Sequence, residues 1–169
     1  MFLPGYRGRM NLLAKIDHPL PPVFADWFAA RGWSPRPHQL ALIEHAQAGE
    51  SVLLVAPTGG GKTLAGFLPS LIELAGVHPR SRARAVHTLY VSPLKALAVD
   101  VARNLETPAA EMGLNIRIET RTGDTSTARR QRQKHLPPDI LLTTPEQLSL
   151  LLSAKDAPRF FGKLRAVVL

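Results

Sequence analysis

Residues Ala56 to Thr63, Ala-Pro-Thr-Gly-Gly-Gly-Lys-Thr, are the stretch of this 169-residue chain best equipped for chemistry. Three consecutive glycines allow a tight turn with positive φ, so that successive backbone N–H groups can converge on an anion. The apolar run Ser51–Val55 precedes the loop, and Leu64–Leu68 follows it with helical apolar spacing. Strand, glycine loop and helix is the context of a phosphate site, and the helix N-terminus adds its partial positive charge. In that arrangement Pro57, Thr58, Gly59, Gly60 and Gly61 line the anion. Lys62 reaches the β- and γ-phosphates of a nucleotide as a point charge, and the Thr63 hydroxyl ligates Mg²⁺. The general pattern is G-x-x-x-x-G-K-[ST], and Ala56 stands where its first glycine would be.

Upstream, Gln39 opens a helical segment shortly before the loop. Its amide carries the donor and acceptor that the N6/N7 edge of adenine requires, and Arg36 is placed to stack on a base or meet a phosphate. The competing reading is a capping glutamine and a surface arginine.

Three further strand ends have the same logic. Val86–Val91 reads as a buried strand that stops at Ser92-Pro93-Leu94-Lys95, where a helix opens. Ile116–Thr120 alternates and is followed by Arg121-Thr122-Gly123-Asp124. Asp139–Thr143 is a continuous apolar strand followed by Thr144-Pro145-Glu146, with a proline at the first helical position. Each places free N–H groups at the carboxyl edge of a sheet, where α/β folds bind ligands. The Thr143 and Thr144 hydroxyls are expected to face an anion there.

The elements that must hold these groups follow in order. Residues 1–20 read as an irregular leader. Helices are expected from Pro21-Pro22 to Gly32, from Gln39 to the stop at Gly49, and after the glycine loop as far as Gly76. Arg80–Arg84 is a basic loop. Leu97, Val101, Leu105 and Met112 form the apolar face of a helix that Pro108 bends or interrupts. Asp124 or Thr125 caps the basic helix Ala128–Lys134, which has little apolar face and is expected to be exposed. Arg165–Leu169 begins a fifth strand.

Bulk properties bound the partners. Lys and Arg total 21 against 13 Asp and Glu, a net charge of +8 that suits a polyanion as well as it suits general solubility. Cysteine is absent, which excludes disulfides and thiolate metal sites and fits a cytoplasmic setting. No apolar segment approaches the roughly 20 residues of a membrane span, so no membrane partner is expected.

Taken in order behind Ala56–Thr63, these strings resemble the first RecA-like domain of superfamily 2 DNA helicases. Gln39 matches the Q motif, Ala56–Thr63 motif I, Ser92–Leu97 motif Ia, Arg121–Asp124 the TxGx element and Thr143–Glu146 motif Ib. Within that superfamily the chain resembles the large helicase-related (Lhr) group. Pro19–Ala46, Ala56–Leu71 and Ser92–Asp100 are similar to bacterial ligase-associated DExH-box helicases.

The resemblance implies an α/β P-loop NTPase fold, a RecA-like parallel sheet flanked by helices, over residues 21–169. It implies ATP and Mg²⁺ as cofactors, with Arg36, Gln39 and residues 57–63 at the nucleotide and Lys62 essential to catalysis. Pro93, Leu94, Lys95, Thr122, Gly123, Thr144 and Pro145 would contact nucleic acid, single-stranded or partly duplex DNA, mainly through its backbone. DNA-repair ligase or nuclease partners are implied as well. In that family the strand matching Arg165–Leu169 runs into D-E-x-H, whose Asp and Glu serve Mg²⁺ and the attacking water, and a second RecA-like domain supplies arginine fingers. Without those groups, these residues alone are expected to hold nucleotide without efficient hydrolysis. Two other readings compete: a P-loop ATPase acting on a substrate other than nucleic acid, and an inert nucleotide-binding module.

Overall fold

The run Ile140-Leu141-Leu142-Thr143 has no polar side chain before its last residue, and all four residues are fully buried. Only a strand with neighbours on both edges and layers on both faces makes use of such a run. This strand, β3 (Ile140–Thr143), lies between β2 (Ile118–Arg121) and β1 (Thr88–Val91), with β4 (Ala166–Val168) beyond β1. All pairings are parallel. Val91 and Arg121 both stand opposite Thr143, so three strands end level with one another.

The computed structural model describes residues 20–77 and 85–169; the expected leader, apart from Leu20, and the basic loop Arg80–Arg84 lie outside these. The chain divides into two units, one reaching to Ala65 and one running from Gly66 to Leu169.

In the second unit, helices flank the sheet. Leu89 and Leu141 point to one face and cluster with Val86, with Leu151 of α6 (Pro145–Leu152) and with Phe160 of α7 (Ala157–Phe161). Tyr90, on the opposite face, meets Phe67 of α3 (Lys62–Ala75), ring centroids 5.8 Å apart. The next helix, α4 (Lys95–Glu111), packs on β2 and β3 and buries Ala98, Val101, Ala102, Leu105 and Ala109. That stripe has the helical i, i+3, i+4, i+7 spacing and follows the expected face at Val101, Leu105 and Met112, which are buried, but not at Leu97, which is exposed while Ala98 is inside. Helix α4 also runs through Pro108 rather than stopping there, at the loss of one N–H donor. Asp139 ties the amino ends of the strands together. Its carboxylate accepts from Arg117 N at 2.8 Å, and its carbonyl accepts from His87 N and Thr88 N.

In the first unit, α1 (Pro22–Ala30) and α2 (Pro37–Gln47) both start on a proline, whose missing N–H is an orphan of the first turn in any case. Phe24, Phe28 and Ile43 are their buried apolar residues. Gly49, at φ +73°, ends α2: its N–H reaches Ala46 O, and Glu50 N reaches His45 O, the paired bonds of a left-handed cap.

Two expectations fail. Ser51–Val55 forms no strand, and among the described residues the sheet has four strands, not five. Leu53 and Val55 are 88% and 86% exposed. A parallel strand is held by its neighbours' backbone, and no described residue pairs with this run. The short α7 was not foreseen at all; burial of Phe160 holds it in place.

Candidate functional site

The glycine loop belongs to the first unit. Gly59 and Gly61 have φ of +75° and +71°, the left-handed region that favours glycine, and they reverse the chain just before α3 begins at Lys62. A side chain on Gly60 would strike Pro57 O at 2.8 Å, and one on Gly61 would meet Gln39 Nε2 at 2.9 Å. The loop is therefore closed tightly on itself and backed by α2. His38 Nε2 lies 2.8 Å from Gly60 O, and Gln39 Nε2 donates to Gly61 O at 3.4 Å. Gln39 is only 3% exposed, and its Oε1 accepts from Arg36 N at 2.9 Å, closing half of a capping box. Both ends of the Gln39 amide thus face protein groups, and Arg36 is exposed beside Gly61.

The Lys62 ammonium donates to Ala56 O at 2.8 Å and to Pro57 O at 2.9 Å. These two bonds tie the ammonium back onto the turn at the mouth of α3. Thr63 is half-buried on the first turn of α3. Pro57, Thr58 and Gly59 are exposed.

The second unit carries the other group of candidates. They converge because β1, β2 and β3 are parallel and end level. Ser92 N donates to Thr143 O at 3.0 Å and Thr143 Oγ1 to Arg121 O at 2.7 Å, joining the three ends sideways. Along that edge Pro93, Leu94, Lys95, Gly123 and Pro145 are exposed, while Thr122 and Thr144 are buried. Lys95 Nζ is paired with Asp124 Oδ2 at 2.7 Å, linking the end of β1 to the loop after β2.

Three local expectations are corrected here. The Thr143 hydroxyl does not face an anion, because Arg121 O occupies it. The Thr144 hydroxyl serves the Glu146 carboxyl, holding it below the usual carboxylate range together with the helix's own backbone. The cap of α5 (Thr127–His135) is Ser126, whose Oγ accepts from Arg129 N, and neither Asp124 nor Thr125. Asp124 is taken by Lys95, and Thr125 Oγ1 accepts from Thr122 N at 2.9 Å.

The basic helix α5 is also less detached than its composition suggests. Glu119 of β2 accepts from Arg132 Nη2 at 2.9 Å and from Gln133 Nε2 at 2.8 Å, and Gln133 is fully buried. From this anchored helix Arg130 Nη2 donates to Thr122 O at 3.2 Å and to Gly123 O at 2.9 Å. Beside it Arg121 is 7% exposed; burial, and then the neighbouring Arg130 charge, pull its pKa down, while Asp156 opposes them. His38 and Arg130 were not singled out as site residues in the sequence, and Asp124 was read only as part of the Arg121–Asp124 turn and as a possible helix cap. His38 adjoins Gln39, which was a usable signal. Asp124 meets Lys95 only through the sheet's topology, and Arg130 reaches Thr122 O and Gly123 O across the turn that joins β2 to α5.

With this geometry in view, the pattern of the DEAD/DEAH box helicases matches residues 36–169. The chain belongs to the DEAD/DEAH box helicase family. Within it, the chain is similar to Lhr helicases. It is 41% identical to ATP-dependent helicase Lhr-Core protein 2 of Thermococcus barophilus over 84% of this chain and 17% of that protein. It is 39% identical to the Lhr helicase/uracil glycosylase of Escherichia coli over 80% of this chain and 10% of that protein. Among solved structures, the Mycobacterium smegmatis helicase Lhr bound to ssDNA and AMP-PNP superposes with a TM-score of 0.77 at 39% identity, covering 88% of this chain and 20% of that one. The helicase MrfA bound to DNA and AMPPNP gives 0.74 at 31% identity, covering 89% and 21%. This DEAD/DEAH chain thus spans between 10% and 21% of the length of these relatives. Its fold is the RecA-like parallel sheet flanked by helices found in these neighbours. Among the described residues no helix is long and apolar enough to cross a membrane.

Proposed function

We propose that this chain supplies the nucleotide-binding loop and one nucleic-acid-facing edge of an ATP-dependent DNA helicase of the Lhr type, as the N-terminal part of its first RecA-like domain, residues 21–169. The observation that carries the reading is the level ending of three parallel strands at one edge, each turning there into a loop or a helix N-terminus, in a chain that also holds the Ala56–Thr63 loop. A kinase for a small substrate has no use for three such ends. Relatives captured with ssDNA or DNA and with AMP-PNP support the same assignment.

The residues present fit ATP. The positions of Gly60 and Gly61 leave no room for a Cβ, which brings bare backbone to the anion, and Lys62 already sits at the mouth of α3. Lys62 and the loop amides of residues 57–63 would hold the phosphates, Thr63 the Mg²⁺, and Arg36 the base. Gln39 would set the loop's shape from behind as much as read adenine. When bound, the metal nucleotide supplies the phosphoryl group and neutralises charge on it. In the second unit, Lys95 and the backbone around Pro93, Leu94, Thr122, Gly123, Thr144 and Pro145 would grip sugar and phosphate, giving little sequence preference. Taken alone, the 169 residues would bind nucleotide without efficient turnover. In the whole protein, partners among DNA-repair ligases or nucleases and a cytoplasmic location belong to the same reading.

The test is titration of the 169-residue chain with a labelled single-stranded oligonucleotide and, separately, with a fluorescent adenine nucleotide. Binding of both is expected, with only the oligonucleotide affinity falling steeply with salt. Nucleotide binding without oligonucleotide binding would favour an ATPase acting on another kind of substrate.

A further inference from the structure

The backbone carbonyls of the loop after β2 are held by α5. Arg130 Nη2 donates to two successive carbonyls, Thr122 O at 3.2 Å and Gly123 O at 2.9 Å. The peptide bonds here are trans and planar, so each carbonyl and the N–H of the following residue point in opposite directions. Turning the Thr122 and Gly123 carbonyls towards Arg130 therefore turns the Gly123 and Asp124 N–H groups away from it. Gly123 and Asp124 are exposed, and neither N–H has a hydrogen-bond partner among the described residues. Two successive free N–H groups make an anion-binding concavity, and Lys95 offsets the Asp124 carboxylate beside them.

We propose that Arg130 is a positioning residue for nucleic acid: it fixes the Thr122 and Gly123 carbonyls so that the Gly123 and Asp124 N–H groups face a phosphodiester of the bound strand. This rests on the nucleic-acid reading above. Arg130 can do this because its own helix is immobilised, α5 being fastened to β2 through Glu119 by Arg132 and Gln133. A guanidinium suits the task, since one planar nitrogen presents two N–H donors in fixed directions to two acceptors, which an ammonium on a flexible stem does less well.

A positioning arginine and a phosphate-contacting arginine differ in one measurable respect. Each cation that neutralises a phosphate of a single strand contributes about 0.7 to the slope of log affinity against log salt. A guanidinium bonded to carbonyls contributes little to that slope, yet its loss weakens binding by letting the loop relax, by about tenfold if about 1.4 kcal/mol of ordering is lost.

The experiment measures anisotropy of a labelled oligothymidylate against the 169-residue chain and its Arg130→Gln, Arg130→Lys and Lys95→Gln variants, across a salt series. Arg130→Gln should bind about tenfold more weakly with its slope unchanged, Arg130→Lys should recover part of the affinity, and Lys95→Gln should lose about 0.7 of slope. In the free protein, the Gly123 and Asp124 amide resonances should shift in Arg130→Gln while those of β3 stay in place. If Arg130→Gln does not fold, the amide resonances carry the test: in Arg130→Lys, which keeps the charge, those of Gly123 and Asp124 should still shift and the affinity should still fall. Unchanged affinity in Arg130→Gln, or a slope reduced by about 0.7 in that variant, overturns the positioning role, as do unmoved Gly123 and Asp124 resonances in Arg130→Lys. If the parent chain binds and the Arg130 variants bind equally well, the inference alone fails; if the parent shows no salt-sensitive binding, the nucleic-acid reading fails and takes the inference with it.

Discussion

Gly61 and Gln39 are locked together: a Cβ on Gly61 would lie 2.9 Å from Gln39 Nε2, and that nitrogen donates to Gly61 O. The loop's curvature and the start of α2 are therefore one unit, because the same amide also caps Arg36 N. Gly61→Ala should cost about 1–2 kcal/mol for the left-handed backbone alone, and it should also push Gln39 off one of its two partners. Nucleotide affinity is expected to fall at least about tenfold. Urea unfolding and a fluorescent-nucleotide titration of the same sample separate the two effects.

The Lys95–Asp124 pair is exposed on both sides, so it adds little to stability. Its effect should appear in binding. Asp124→Asn frees the ammonium and removes a negative charge from the edge, so single-stranded DNA should bind a few-fold more tightly at low salt, with the gain fading as salt rises. Thermal unfolding of the variant should match that of the parent.

Glu146 sits in the first turn of α6, and its folded pKa lies below the ordinary 4.5, first through the Thr144 hydroxyl and then through the backbone N–H. A carboxyl depressed on folding adds stability above its unfolded pKa and loses it as the pH falls through the lower folded value. Glu146→Gln should therefore lower the melting temperature slightly at pH 7, and the difference from the parent should vanish in acid well below 4.5. A difference that persisted there would mean that the charge of Glu146 is not what steadies the helix start.

How much of this was written in the sequence depends on how local the information is. The Ala56–Thr63 loop, the proline starts of α1 and α6, and the all-apolar run of β3 were legible because neighbouring residues determine them; α2 was expected from Gln39 and starts two residues earlier, at Pro37. Ser51–Val55 looked equally like a strand, but composition cannot supply a partner strand, and this run has none among the described residues. The face of α4 was legible at Val101, Leu105 and Met112 and misread only at its start, because Leu97 is more apolar than Ala98, although Ala98 is the one buried. Ser126 went unseen as a cap because Asp124 and Thr125 are equally good capping residues; their engagement by Lys95 and Thr122 N leaves the role to Ser126. Arg130 was read as one charge among many on a basic helix. Its partners lie seven and eight positions back, across the turn that joins β2 to α5, and no sequence period marks such a meeting.

The most direct measurement is ATP-dependent unwinding of a partly duplex DNA by the complete protein carrying Lys62→Ala, with DNA binding measured in parallel. Lys62 lies at the mouth of α3, with its ammonium on Ala56 O and Pro57 O. Its loss should abolish unwinding and ATP hydrolysis while salt-sensitive DNA binding, which draws on other residues, stays within about two-fold of the parent. Unwinding that survived Lys62→Ala would contradict the assignment of this loop to the nucleotide.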